Sequence, residues 1–176
     1  MRSPRGVTPL PAGPGQESVW DYPRPPLLQR SPRTVEVRAG EAVVARTNEA
    51  WRVMETSHPP TWYLPRSAVD ENSLRLSSHP STTCEWKGAA TYWDVRIGDH
   101  FLEAAAWSYQ HPTSGFREIT GHLAFLAANP TDSSHPGLTC EVDGELVRPQ
   151  PSGFYGGWIT DDVVGPFKGI PGSWGW

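Results

Sequence analysis

The sequence predicts a mainly β protein forming a single domain, and three observations carry that expectation. Nineteen prolines and 17 glycines in 176 residues cut any long helix into pieces. Several short runs alternate apolar and polar side chains with the period of two that a half-buried strand requires. Between them stand turn signals such as Asp143-Gly144 and Gly98-Asp99. A chain of this length fits one domain and buries a real core.

The elements follow in order. Residues 1–17 are rich in Pro, Gly and Arg and are expected to be disordered, leaving residues 18–176 as the β domain. Residues 18–32, with Trp20 and Tyr22, read as an extended strap lying on that domain. Val35 and Val37 alternate with Glu36 and Arg38, a turn falls at Ala39-Gly40-Glu41, and residues 42–45 return, which predicts a hairpin over 34–47. Trp51, Val53 and Glu55 alternate with Arg52, Met54 and Thr56 in a third strand, stopped by Ser57-His58-Pro59-Pro60. Residues 61–64 form a short strand ended by Pro65.

Residues 90–97 alternate again, with Thr91, Trp93, Val95 and Ile97 on one face and Tyr92, Asp94 and Arg96 on the other. Residues 101–109 contain the helix-favouring run Leu102-Glu103-Ala104-Ala105-Ala106, but the tight turn before it and Pro112 after it favour a returning strand. Residues 114–120 are the best helix candidate, with Ser114 as N-cap. Residues 123–126 read as strand, 129–137 as loop and 139–147 as a hairpin. From Pro149 the chain is a Gly/aromatic tail.

Charge and motif content exclude several functions. The formal charge of −4 is spread without a basic stripe, so no nucleic-acid backbone is expected as partner. No window approaches the ~20 apolar residues of a membrane helix. The Pro/Arg-rich start has no apolar core of the signal-peptide kind, so a cytoplasmic protein with reduced cysteines is expected. Only Cys84 and Cys140 are present, in no Cys-x-x-Cys pair. His58, His79, His100, His111, His122 and His135 are scattered without ligand spacing, so no metal site is expected. Neither a nucleophile elbow nor a phosphate-binding loop occurs, and no cofactor is implied.

What stands out is Thr83-Cys84-Glu85-Trp86-Lys87-Gly88, followed by Tyr92, Trp93, Trp107 and Tyr109. A cation close to a thiol lowers its pKa from the free value of ~8.5, so Lys87 three residues after Cys84 points to a stabilised thiolate. Each group also has a purely structural use. His58 before two prolines anchors a turn by a side-chain hydrogen bond, Cys84 packs as a small hydrophobe, and Lys87 guards a strand edge against aggregation.

Four further runs accompany this one: Glu55-Thr56-Ser57-His58-Pro59-Pro60-Thr61-Trp62-Tyr63-Leu64-Pro65-Arg66, Ala106-Trp107-Ser108-Tyr109, and the tail words Gly153-Phe154-Tyr155-Gly156-Gly157-Trp158-Ile159 and Gly165-Pro166-Phe167-Lys168-Gly169. Together they resemble the bacterial domain-of-unknown-function family 427, which has also carried a nucleotidyltransferase-like label. Glu85 stands where relatives usually carry proline. The resemblance implies a fold of two small antiparallel sheets in an Mss4-like, or β-tent, arrangement with one short helix, and it implies no particular activity. The missing phosphate loop counts against the nucleotidyltransferase label.

The combined reading is a metal-free enzyme acting on a small carbonyl-containing molecule by acid–base or covalent chemistry: isomerisation, cyclisation or hydrolysis. Lys87 polarises an oxygen, His58 or Tyr109 moves protons, and Cys84 acts as nucleophile or packs beside Lys87. Tyr63, Trp86, Tyr92 and Trp107 line an aromatic cleft. One alternative is a binding module in which indoles cage a planar or cationic ligand. The other is an interaction domain, or an oligomer, built through the C-terminal tail.

Overall fold

A computed structural model describes residues 6–134 and 136–176; His135 and residues 1–5, the start of the segment expected to be disordered, lie outside it. The first half contains strands β1 (Glu17–Ser18), β2 (Leu27–Ser31), β3 (Val35–Ala39), β4 (Ala42–Thr47), β5 (Ala50–Met54) and β6 (Thr61–Tyr63). Strands β7 (Leu74–Leu76), β8 (Thr82–Cys84), β9 (Gly88–Ile97), β10 (His100–Ser108) and β11 (Leu123–Phe125) follow. The remainder carries β12 (Leu138–Val142), β13 (Glu145–Leu146), β14 (Arg148–Pro149), β15 (Trp158–Ile159) and β16 (Val163–Val164).

The protein is mainly β, and its strands form several small sheets, none closed into a barrel. The largest runs β11-β10-β9-β7, with β8 also paired to β9; a second runs β13-β12-β3-β4 and a third β2-β5-β6. All three are antiparallel, whereas the small β1–β16 pair is parallel. The hairpin at 34–47 turns through Gly40 at φ 61°, and that at Asp143-Gly144 places both residues at positive φ, as a two-residue hairpin turn demands. Residues 100–108 are strand, so the turn at Gly98 overrides the helix propensity of the alanine run. The strand carries an irregularity between Leu102 and Ala106, where Ala104 takes a φ of 50°.

The main core lies between the β3-β4-β12 sheet and one face of β9-β10-β11, and includes Val35, Val37, Val44, Trp62, Phe125 and Trp158. Each such side chain contributes ~2–3 kcal/mol by leaving water, and the buried Trp158 N–H is satisfied by the Phe125 carbonyl at 2.9 Å. A second cluster on the opposite face of β9 and β10 holds Tyr63, Ala90, Tyr109, Phe116, Ile119 and Ala124. A third joins the N-terminal strap to the tail through Val19, Trp20, Tyr22, Met54 and Val163.

Several sequence expectations are corrected locally. The helix at 114–120 is a 3-10 helix over Ser114–Ile119, kinked at Phe116 and capped by Thr113 rather than Ser114. Gly115 at its start and a length under two turns leave too few i→i−4 bonds for an α-helix. Within the strap, Leu27–Ser31 is a ladder strand paired along its length with β5. Ahead of it, Leu10 N–H donates to the Gly165 carbonyl at 2.9 Å, and Glu17 pairs with Val163. Strands β7 and β8 were not anticipated; each is three residues long, too short for alternation to register.

Candidate functional site

The β8–β9 hairpin aims Lys87. Cys84 pairs with Gly88 across the ladder, leaving Glu85, Trp86 and Lys87 as the connecting turn. Gly88 has a φ of 103°, a backbone state that costs a side chain dearly, which explains glycine directly after the lysine. The turn is tied to the segment after β10: Thr113 N–H donates to the Lys87 carbonyl at 3.1 Å, and Thr113 Oγ1 to the Trp86 carbonyl at 2.6 Å. Held this way, the lysine reaches inward, and its Nζ lies 5.5 Å from the centre of the Tyr109 ring.

Tyr109 follows β10 and Tyr63 closes β6; their ring centres are 6.3 Å apart, and both are nearly excluded from water. The Trp107 indole N–H donates to the Tyr63 hydroxyl at 3.3 Å. Burial pushes both phenols above the usual tyrosine value, so each keeps its proton at neutral pH. For Lys87, burial alone would lower the ammonium's pKa. The polar neighbours Tyr63 and Cys84, with the Glu55 carboxylate, more than offset it and hold the value above that of a free lysine. The group therefore presents one ammonium and two neutral phenols at a single point.

Cys84, Trp86, Tyr92 and Trp107 pack against this cluster half-buried. Trp107 and Tyr92 are cross-strand partners, which places Tyr92 on the same sheet face as Trp107. The Tyr92 hydroxyl itself turns toward Thr82 Oγ1 at 2.6 Å, and the ring toward His79 at 4.5 Å. Trp93, on the opposite face, bonds Ser108 Oγ and carries the Arg66 guanidinium over its ring.

His58 stands in a neighbouring group. Its Nδ1 lies 3.0 Å from the Thr56 carbonyl and 3.6 Å from Glu55 Oε2, and its ring meets Tyr155 edge-on at 5.2 Å. A carbonyl only accepts, so Nδ1 carries the proton and the Nε2 lone pair is the basic position. Burial lowers the His58 pKa, with Lys168 and Arg24 adding to it against Glu55 and Thr56, so the ring is neutral near pH 7. The preceding Ser57 is fully buried at a φ of 71°, a backbone state found disproportionately at functional turns. Glu55 is the shared anion: Arg24 Nε pairs with it at 3.2 Å, and its charge acts on both His58 and Lys87.

Sequence reasoning missed Glu55 and Tyr155 as site residues. The Glu55/His58 spacing of three in a turn was the available signal for the first. Nothing local marks where the tail places the second.

Two cavities are open elsewhere. One of about 360 Å³ is lined by Gln29, Arg30, Arg33, Arg52, Glu17 and Asp162, among others. The other, of about 290 Å³, lies between Leu102–Ala105 and the 126–138 loop. Neither includes Lys87 or His58. Cys84 and Cys140 are both free thiols, the first at the Lys87 group and the second in the main core. Among the described residues no three or more His, Cys, Asp or Glu side chains gather as a metal would require. No helix among them is long and apolar enough to cross a membrane.

No curated protein matches the chain. Residues 27–145, more than half of the sequence and the span from β2 to the first residue of β13, match the family model described as a domain of unknown function, DUF427, and the chain belongs to that family.

Proposed function

We propose that this protein is an enzyme acting on a small carbonyl-containing molecule at Lys87, by acid–base or covalent chemistry of its own side chains. The observation that carries the reading is the convergence of the Lys87 ammonium, Tyr109, Tyr63 and Cys84 from separate strands and a turn. An ammonium with protonated phenols beside it is suited to hold a developing oxyanion away from water, where such donors act most strongly. Cys84 supplies the nucleophile and Tyr109 the proton. Because Lys87 remains charged, it serves as an electrophilic donor and does not attack as a free amine.

The aromatic-cage alternative would have to use the Trp86 and Trp107 indoles, since the Tyr109 ring already faces the Lys87 ammonium. The interaction alternative keeps one supporting observation, the exposed Phe154 and Trp174 in the tail, which suit a contact between copies of the chain. In the finer reading the sheets form a β-tent of the Mss4-like type, the protein works in the cytoplasm, and nucleic acid is not a partner.

Lys87→Met tests the reading, since it keeps much of the side-chain volume and removes the charge. A panel of small ketones, lactones and esters is incubated with both proteins and followed by mass spectrometry. The wild type is expected to convert at least one compound and the variant none, with unchanged circular dichroism. Equal conversion by the two proteins overturns it.

A further inference from the structure

Tyr155 and Gly156, neighbours in the segment 151–157, touch His58 and Trp107 respectively, and Trp107 bonds the Tyr63 hydroxyl of the Lys87 group. We propose that this segment is a lid, and that beneath it lies one binding site, floored by Trp107 and flanked by His58 and Lys87, for a small planar molecule bearing a carboxylate or carbonyl oxygen. The inference rests on the functional reading of Lys87 and adds to it the location and shape of the substrate.

Three consecutive residues of the segment cover three parts of the site. The Tyr155 ring sits edge-on against His58. Gly156 lies so close to the Trp107 ring that even a methyl group there would overlap it. Gly157 packs on the Pro59 carbonyl. Consecutive Cα atoms are ~3.8 Å apart, so the surfaces under Tyr155 and Gly156 lie side by side. Trp107 in turn bonds the Tyr63 hydroxyl, which is part of the Lys87 group. Glu55 lies 3.6 Å from His58 Nδ1, and its charge acts on Lys87 and Tyr155 as well.

The segment is built to lift. It joins β14 to β15 and is fastened at its base, where Gln150 N–H donates to the Gly157 carbonyl at 2.9 Å and Gly157 N–H to Gln150 Oε1 at 3.1 Å. Between those anchors Phe154 N–H bonds within the loop, to Ser152 Oγ at 3.1 Å. Ser152 has a φ of 74°, and Phe154 at the tip is 78% exposed. Opening therefore breaks ring contacts rather than a strand ladder. Tyr155 also shows what the site takes: an aromatic ring against His58, with the Lys168 ammonium 5.8 Å from its centre.

Hydroxyl-radical footprinting read by mass spectrometry follows His58 and Trp107 together. Gly156→Ala forces the loop off Trp107 and is expected to raise oxidation of both residues about tenfold, as for a segment shifted toward its open state. A second variant replaces residues 151–156 by Asn-Gly, closing the β14–β15 hairpin without a lid; it gives the same result without depending on a steric clash. In the wild type, saturating benzoate is expected to protect both residues. Oxidation of one residue rising without the other, or benzoate protecting neither, overturns the proposal. Joint exposure combined with full turnover by Lys87→Met would overturn the role given to Lys87 and leave the lid standing. An inactive Lys87→Met with no joint exposure would do the reverse.

Discussion

The Lys87 ammonium stands 5.5 Å from the centre of the Tyr109 ring, a cation held against a π-face in a site that excludes most water. Removed from solvent, such a contact is worth about 1–2 kcal/mol. A double-mutant cycle of Lys87→Met and Tyr109→Leu, read by urea unfolding, is expected to give a coupling of that size, insensitive to added salt. Tyr109→Phe keeps the ring and should retain most of the coupling. Additive single substitutions would show that the two side chains are merely adjacent.

Acid should weaken the fold through His58. Its folded-state pKa lies below the ordinary 6.5, chiefly because the ring is buried. The unfolded chain therefore binds the proton more readily, and stability is lost as the pH falls from above 6.5 toward the folded value. His122 is lowered by burial as well and adds to the slope. His58→Asn keeps a donor for the Thr56 carbonyl and cannot titrate, so its unfolding free energy should fall less steeply between about pH 8 and about pH 5. Parallel curves for the two proteins would refute this assignment.

Local pattern accounts for what was legible in the sequence. The alternation of Val35, Val37 and their neighbours around Gly40 located the first hairpin, and the two faces of β9 already put Tyr92 apart from Trp93. The three-residue spacing of Cys84 and Lys87 put thiol and ammonium on one turn, where the structure has them. His58 was grouped with Lys87 because the chemistry suited it. The sequence holds no sign that Tyr155, nearly a hundred residues later, lies on its ring. Such placement follows from tail packing, such as Gly169 against the Pro151 carbonyl, and not from any local period. The strand at Leu27–Ser31 was hidden for a related reason: it is mostly exposed, and pairing with β5 defines it rather than its own pattern.

Asp94 holds the irregular point of β10. It is buried, accepts the Ala104 N–H at 2.9 Å, and pairs with Arg75 at 3.0 Å. Burial opposes its charge, yet these donors, with Ser77, hold its pKa below the usual carboxylate value. Its contribution is thus present above the ordinary carboxylate pKa and lost as the pH falls through the lower folded one. Asp94→Ala is expected to cost about 2–3 kcal/mol by leaving the Ala104 N–H without its acceptor. Ala104→Gly should instead stabilise by about 0.5–1 kcal/mol, since glycine takes positive φ without strain. Chemical denaturation of both variants checks the pair, and a destabilised Ala104→Gly would show that the alanine methyl matters more than its backbone.

The tail offers the sharpest contrast between two like residues. Trp174 and Trp176 are apolar enough to be expected either on the domain or across a subunit interface; within one chain Trp174 is 63% exposed, because buried Ser173, bonded to Gly169 N–H and the Ile170 carbonyl, fixes the turn and directs the next side chain outward. Trp176 returns to meet the Trp20 ring at 5.3 Å, and its carbonyl oxygen accepts from Arg24 Nη2 at 3.2 Å and Lys168 Nζ at 3.1 Å. Trp176→Ala removes an aromatic contact from the strap cluster and is expected to cost about 2–3 kcal/mol. Trp174→Ala removes a mostly exposed ring whose centre lies 6.2 Å from that of Tyr155, and should stay within about 0.5 kcal/mol of wild type. Thermal and urea unfolding of the two variants decide the matter. Equal losses would mean that Trp174 is buried in solution, through a second copy of the chain, and a sedimentation measurement at the same concentration would then show the dimer.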